Sequence, residues 1–184
     1  MIVVLNGYPG VGKLTIGRHL ARRLGGRLVD IHTLYNLAFA LTEFGTPAFR
    51  ETVARVEAIA DDLIGRLPPG EPVVFTTVLT GSGDWAQEEW GRFERRGAAR
   101  GPLCMVHLWC DLEENIRRIE APERVGKGKL RGAEVARRNH AGAAPLIGAD
   151  LAHLLRLDVT DLSARDAAER IAAWCRADGA GGRT

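Results

Sequence analysis

Lysine is almost missing from this chain: of its 25 Lys and Arg residues, only Lys13, Lys127 and Lys129 are lysines. A composition that uses arginine nearly everywhere but keeps lysine at three places points to sites that need a compact ammonium rather than a planar guanidinium. Cysteine is also scarce. Cys104, Cys110 and Cys175 form no CxxC pair, and an odd number excludes a complete disulfide framework, so reduced thiols in a cytoplasmic protein are expected. No apolar run approaches the roughly 20 residues needed to cross a bilayer. The first strand-like run, Met1 to Asn6, lacks the basic flank of a signal peptide. A net charge of +2 is not the strong basic excess of a nucleic-acid coat, and no pair of histidines or cysteines has metal-site spacing. What remains is a chain of 184 residues, 46% hydrophobic, long enough to bury one core. We expect a monomer or homodimer with neither a nucleic-acid nor a membrane partner.

Apolar strand-like runs alternate with helical patterns from end to end, the signature of a parallel sheet covered by helices on both faces. Strands are predicted at Ile2–Asn6, Arg27–Asp30, Pro72–Leu79, Leu103–Cys110 and Leu154–Val159. A helix over Lys13–Leu24 would bury Ile16, Leu20 and Leu24. Thr46 followed by Pro47 has the form of an N-cap with proline in the first turn. Beyond it Val53, Val56, Ala60, Leu63 and Leu67 keep the three-or-four spacing of one buried face, until Pro68-Pro69-Gly70 ends the helix. Asp84 with Gln87 resembles a capping box before a helix carrying Trp90 and Phe93. Asp111 is placed to cap another helix, and a last one is expected from about Ala164 to Arg176. The domain would span 1–178, with 179–184 a frayed tail.

The most informative stretch is Gly7-Tyr8-Pro9-Gly10-Val11-Gly12-Lys13-Leu14-Thr15, between the first strand and the first helix. Glycines at this spacing let successive backbone N–H groups point into one cavity. The helix N-terminus adds its positive dipole end, and lysine reaches the outer phosphates of a nucleotide. The chain here resembles the small P-loop kinases: adenylate, shikimate and gluconate kinases and chloramphenicol phosphotransferase. The resemblance covers most of the chain as an order of elements. It implies a three-layer α/β P-loop fold with a five-stranded parallel sheet, binding of ATP with Mg²⁺, and transfer of phosphate to a small-molecule hydroxyl. One departure stands out. The position after the lysine, usually Ser or Thr for Mg²⁺, is Leu14, with Thr15 next.

On the acceptor side, Asp30 follows Lys13 by 17 positions, similar to the spacing of the acidic motif of shikimate kinases. There the carboxylate helps hold Mg²⁺ and orients or deprotonates the attacking hydroxyl; the alternative is an N-cap for the next helix. His32 stands where a shikimate kinase has its second acid, and no Gly-Gly-Gly follows the third strand, which argues against shikimate as the acceptor. Thr76-Thr77-Val78-Leu79-Thr80 offers hydroxyls, Thr77 and Thr80 among them, but no Walker B acid. Trp85 and Trp90 are expected to pack on the sheet. His107 and His153 are expected to be structural.

Arg117, Arg118, Arg124, Lys127, Lys129 and Arg131 crowd one segment, opposed only by Glu120 and Glu123. With Pro122, Gly126 and Gly128 interrupting it, the stretch over about 121–131 resembles the lid of these kinases, which closes over the phosphates. Arg117 and Arg124, seven apart, match the adenine-stacking and phosphate-contacting arginines. Asp158-Val159-Thr160 matches the backbone that wraps the adenine. No Asn-Lys-x-Asp guanine motif occurs, so ATP is favoured over GTP. A kinase is the leading expectation, beside NTP hydrolysis and a nucleotide-binding switch or partner-binding module.

Overall fold

Strand and helix alternate as β1 (Ile2–Asn6), α1 (Lys13–Leu24), β2 (Arg27–Asp30), α2 (Ile31–Leu41), α3 (Pro47–Gly65), β3 (Val73–Thr77), α4 (Asp84–Arg100), β4 (Leu103–Trp109), α5 (Leu112–Ile119), α6 (Ala133–Gly142), β5 (Leu154–Asp158) and α7 (Ala164–Gly181). The structure is a computed structural model. It describes residues 1–81, 83–121, 132–142, 144–151 and 153–181, without side chains beyond 177. The strands form one sheet in the order β2-β3-β1-β4-β5, and every neighbouring pair is parallel. This is the three-layer α/β fold expected from the alternation of elements.

β1 lies at the centre and is buried at all five positions, as a continuous apolar run inside a parallel sheet must be. Its residues part by the period of two. Val3 and Leu5 join Val106 and Leu108 of β4 beneath α1 (Ile16, Leu20) and α7 (Ile171, Ala172). Ile2 and Val4 face the other way, toward Phe75 of β3, Ile64 of α3 and Phe93 of α4. Phe93 meets Phe75 edge-on at 5.2 Å between centroids, and truncating such a ring costs about 3–5 kcal/mol. A third cluster joins Leu34, Tyr35 and Ala38 of α2 to Phe49 and Val53 of α3. Cys104, Cys110 and Cys175 are buried and form no disulfide among the described residues.

Some local expectations need correction. On the expected face of α3, Val53 is buried and Val56, Ala60 and Leu67 pack against the core, but Leu63 is 56% exposed and Phe49, Glu57 and Ile64 are buried beside them. Glu57 takes a place on that face because it points inward to Arg96 of α4, which also reaches Asp61 at 2.6 Å. Hydrophobic spacing alone cannot show an inward carboxylate. Asp84 is the first residue of α4 rather than its cap. Gly83 stands at the N-cap, with no side-chain hydrogen bond, and Asp84 adds negative charge to the first turn. By contrast, the side chain of Thr46 accepts from Phe49 N, and that of Asp111 from Glu114 N, as capping residues do. α6 carries no distinctive cap or periodicity and was not placed by the sequence, while α2 was expected only as the helix that follows Asp30. α7 runs to Gly181 rather than ending at Arg176. Trp90 is partly buried against the sheet cluster, but Trp85 packs instead on Tyr35 and Phe49, at 5.8 and 5.7 Å.

Tyr35 of α2 donates its hydroxyl to the buried carboxylate of Glu89 on α4. Burial pushes Glu89 up to about 7, against the pull of the Tyr35 bond and Arg92, with Glu57 and Arg96 also facing it. The group holds its proton more tightly folded than unfolded. Stability therefore falls as pH rises from about 4.5 toward about 7, and levels off above. Glu89→Gln, which still accepts from Tyr35, should flatten that decline and melt a few degrees higher than wild type at about pH 8. Calorimetry across the window checks this; an equal or lower melting temperature there would refute the assignment.

Candidate active site at the carboxyl edge of the sheet

All strands run parallel, so the ends of β1, β2 and β3 lie at one edge and bring Asn6, Asp30 and Thr77 to the same side. From Gly7 the chain turns back into α1. Gly10 and Gly12 hold φ of 97° and 95°, where a side chain is strained. A Cβ on Gly10 would sit 2.4 Å from Asn115 Nδ2, and one on Gly7 2.5 Å from the Leu108 carbonyl oxygen. The N-cap of α1 is Gly12, with no side-chain cap and no acid in the first turn. The first turn of α1 therefore presents its amides toward the loop with no cap from the N-cap residue. This suits an anion of several oxygens. Lys13 lies across the loop, its Nζ donating to the carbonyls of Gly7 and Tyr8, the latter at 3.0 Å. Val11 is buried, Leu14 half-buried, and Thr15 exposed on the first turn of α1.

α5 braces the loop from below through two residues that sequence reasoning missed. Asn115, fully buried, donates Nδ2 to Pro9 O at 3.0 Å. Arg118 donates to Val11 O at 3.2 Å, and to Val159 O and Thr160 O at 2.7 and 3.3 Å, stitching the loop to the turn after β5. Arg117 points to solvent, 72% exposed, and holds both oxygens of Glu114 at 2.6 Å. That pairing, with help from Arg118, draws the Glu114 carboxyl down to about 2. The Arg-Arg pair was the only signal for Arg118, and helical rotation decides which of the two faces inward. In the turn after β5, Asp158 Oδ1 accepts from the Thr160 amide and hydroxyl at 2.9 and 2.6 Å, while Thr160 Oγ1 accepts from Asp111 N at 2.9 Å.

Asp30 occupies the N-cap position of α2, yet its side chain makes no capping bond. Its Oδ1 accepts from Thr76 Oγ1 at 2.8 Å, across the register that pairs Asp30 with Thr76. His32 is half-buried in the first turn of α2, 6.4 Å from the Phe39 ring. Thr77 is buried at the end of β3, and half-buried Thr80 forms an isolated antiparallel bridge with Leu146. Arg124, Lys127 and Arg131 lie outside the described residues. His107 is buried with Nε2 at 2.9 Å from Ile147 O, in keeping with a structural part. On the β4 side of the loop is a cavity of about 210 Å³ lined by Tyr8, Val11, Trp109, Cys110, Asn139 and His140.

Among the described residues no group of three or more His, Cys, Asp or Glu converges to hold a metal. A nucleotide-bound Mg²⁺ needs fewer, because phosphates and waters supply most ligands. Thr15 is exposed beside the loop, and Asp30 Oδ2 makes no hydrogen bond among the described residues, so the donor set suits that ion. No helix among the described residues is long and apolar enough to cross a membrane.

The family model described as AAA domain matches residues 3–138. The chain is 46% identical over 84 residues to a shikimate kinase of Corynebacterium efficiens, covering 41% of this chain and 50% of that one. It is 40% identical over 138 residues to a shikimate kinase of Bradyrhizobium diazoefficiens, covering 72% and 58%. The chain thus spans about half the length of the curated relatives it matches. Its fold is similar to that of a gluconokinase from Sinorhizobium meliloti, with a TM-score of 0.61 at 14% identity over 97% of this chain and 93% of that one. With the strand order and the family match over residues 3–138, the chain belongs to the AAA-domain family.

Proposed function

We propose that the chain is an ATP-dependent phosphotransferase that moves a phosphoryl group onto a hydroxyl of a small molecule. One kinase-like domain over 1–178 would carry the activity, with a lid over about 121–131. The observation that carries this reading is the meeting, at one sheet edge, of an uncapped loop-and-helix cradle with Asp30, a carboxylate engaged by Thr76 and not by the amides of α2.

The backbone of Gly7, Gly10, Val11, Gly12, Lys13, Leu14 and Thr15 would hold the phosphates, with the Lys13 ammonium on the outer ones. Mg²⁺, bound with the nucleotide, neutralises phosphate charge. Asp30 and Thr15 are the side chains that would hold it. Asp30 also takes the proton of the attacking hydroxyl as its bond to phosphorus forms and the bond to the ADP oxygen breaks. Arg124, Lys127 and Arg131 would bring positive charge from the lid, and Arg117, Asp158 and Thr160 would frame the adenine. On the acceptor side His32 and Thr80 are reachable, whereas the burial of Thr77 limits it to supporting the edge. The curated relatives are named shikimate kinases, but His32 in place of the second acid supports a different acceptor. The setting we assign is the reducing cytoplasm, as a monomer or homodimer.

Lys13→Ala should keep the fold by circular dichroism and weaken ATP binding at least tenfold, since charge-assisted hydrogen bonds to phosphate are lost. Calorimetric affinity within about twofold of wild type would remove the phosphate-loop assignment. Asp30→Asn keeps an acceptor for Thr76 but loses the charge. With an acceptor found by thermal-shift screening of metabolites and antibiotics beside ADP, its turnover should fall roughly a hundredfold while ADP affinity stays near wild type. Undiminished turnover would return Asp30 to a structural role beside Thr76, and an absence of any acceptor for the wild type would favour a nucleotide-binding switch.

A further inference from the structure

Asn6 is a polar residue at the end of an otherwise apolar central strand, and it is fully buried. Its Nδ2 donates to Leu79 O at 3.0 Å and to Ile147 O at 3.5 Å, and its Oδ1 accepts from Leu79 N at 2.9 Å. Both backbone groups of Leu79 are therefore tied to the residue that precedes the phosphate loop. The segment 144–147, which follows α6, runs across the same edge. Leu146 pairs with Thr80, Gly81 N donates to Pro145 O at 3.1 Å, and Ile147 N donates to Leu79 O at 3.1 Å. At its other end this strap takes a hydrogen bond from the Tyr8 hydroxyl to Ala144 O, and Tyr8 lies within the phosphate loop. His107, beside Asn6 on β4, is kept below its ordinary pKa by burial. Its Nε2 meets Ile147 O at 2.9 Å, where only an N–H can bond a carbonyl.

The strap thus touches the phosphate loop at one end and the loop after β3, on the acceptor side, at the other. A leucine of similar size would serve the core at position 6 as well, so the three hydrogen bonds there, two of them buried, hold loops rather than fill space. We propose that Asn6 and Tyr8 are positioning residues that link the phosphate loop, through the strap 144–147, to the Leu79–Gly81 loop. Occupancy of the first then fixes the second for the acceptor. Asn6 touches neither phosphate nor acceptor; it acts through Leu79 and Ile147. The proposal rests on residues 7–15 being the phosphate loop.

The test needs no acceptor. Amide exchange at Gly81 and Ile147 is followed with and without Mg·ADP, beside calorimetric ADP affinity, in wild type, Asn6→Ala and Tyr8→Phe. In the wild type ADP should slow both amides roughly tenfold, within the usual range of coupling between sites. Both variants, compared at ADP concentrations that saturate them by calorimetry, should lose most of that slowing. Bound ADP without slower exchange in the wild type would overturn the link, as would full slowing in the variants. If Asn6→Ala does not fold, Tyr8→Phe decides alone, since it removes a single hydroxyl. Failure of the wild type to bind ADP would instead sink the phosphate-loop reading, and the link with it.

Discussion

Between the end of β1 and the start of α1 the chain must reverse direction within the six residues Gly7 to Gly12, and it does so by placing Gly10 and Gly12 at positive φ. Other features of the edge depend on that reversal. It aims the uncapped first turn of α1 across the top of the sheet, where backbone dipoles and amides concentrate positive potential. It brings Gly10 so close to Asn115 that no side chain fits between them, which lets α5 support the loop with a buried amide. It also folds Lys13 back over the loop, where its ammonium donates to the carbonyls of Gly7 and Tyr8.

The two sides of the sheet meet this edge in different ways. Beneath α1 and α7 the packing is apolar, with small residues such as Ala167, Ala168 and Ala172 letting helix and sheet approach closely. On the α2, α3 and α4 side, charges are buried: Glu57 with Arg96, and Glu89 with Tyr35. Groups of that kind add little net stability over an apolar replacement, yet breaking one partner leaves a costly unpaired charge. They hold α2 and α3 in one arrangement against α4. That is the side from which Asp30 and His32 reach the edge.

The strands and the glycine turn after β1 were legible in the residues because each is a local signal. Buried parallel strands must be nearly continuous apolar runs, and a tight anion-binding turn must have glycine where φ is positive. Caps at Thr46 and Asp111 were legible for the same reason, since a cap is set within four residues. The inward place of Glu57 on α3 was not, because it looks polar until Arg96 arrives from a helix far along the chain. Nor was the choice of Arg118 over Arg117 as the residue touching the loop, which one step of helical rotation decides.

Asp30 shows the boundary most clearly. Its place at the end of a short strand and start of a helix could be read from the chain, and so could the two roles open to a carboxylate there. Which neighbour engages it depended on register: only pairing of β2 with β3 sets Thr76 beside it, and the side chain turns to that hydroxyl instead of to the amides of α2. By itself the sequence determined the order of the strands, the glycine turn after the first of them and the acid at the sheet edge, because periodicity, glycine and spacing act over a few residues. Tertiary structure alone decided which polar groups meet, Asn6 with Leu79 and Ile147 among them, because those partners lie 73 and 141 positions away and come together only when the sheet is assembled.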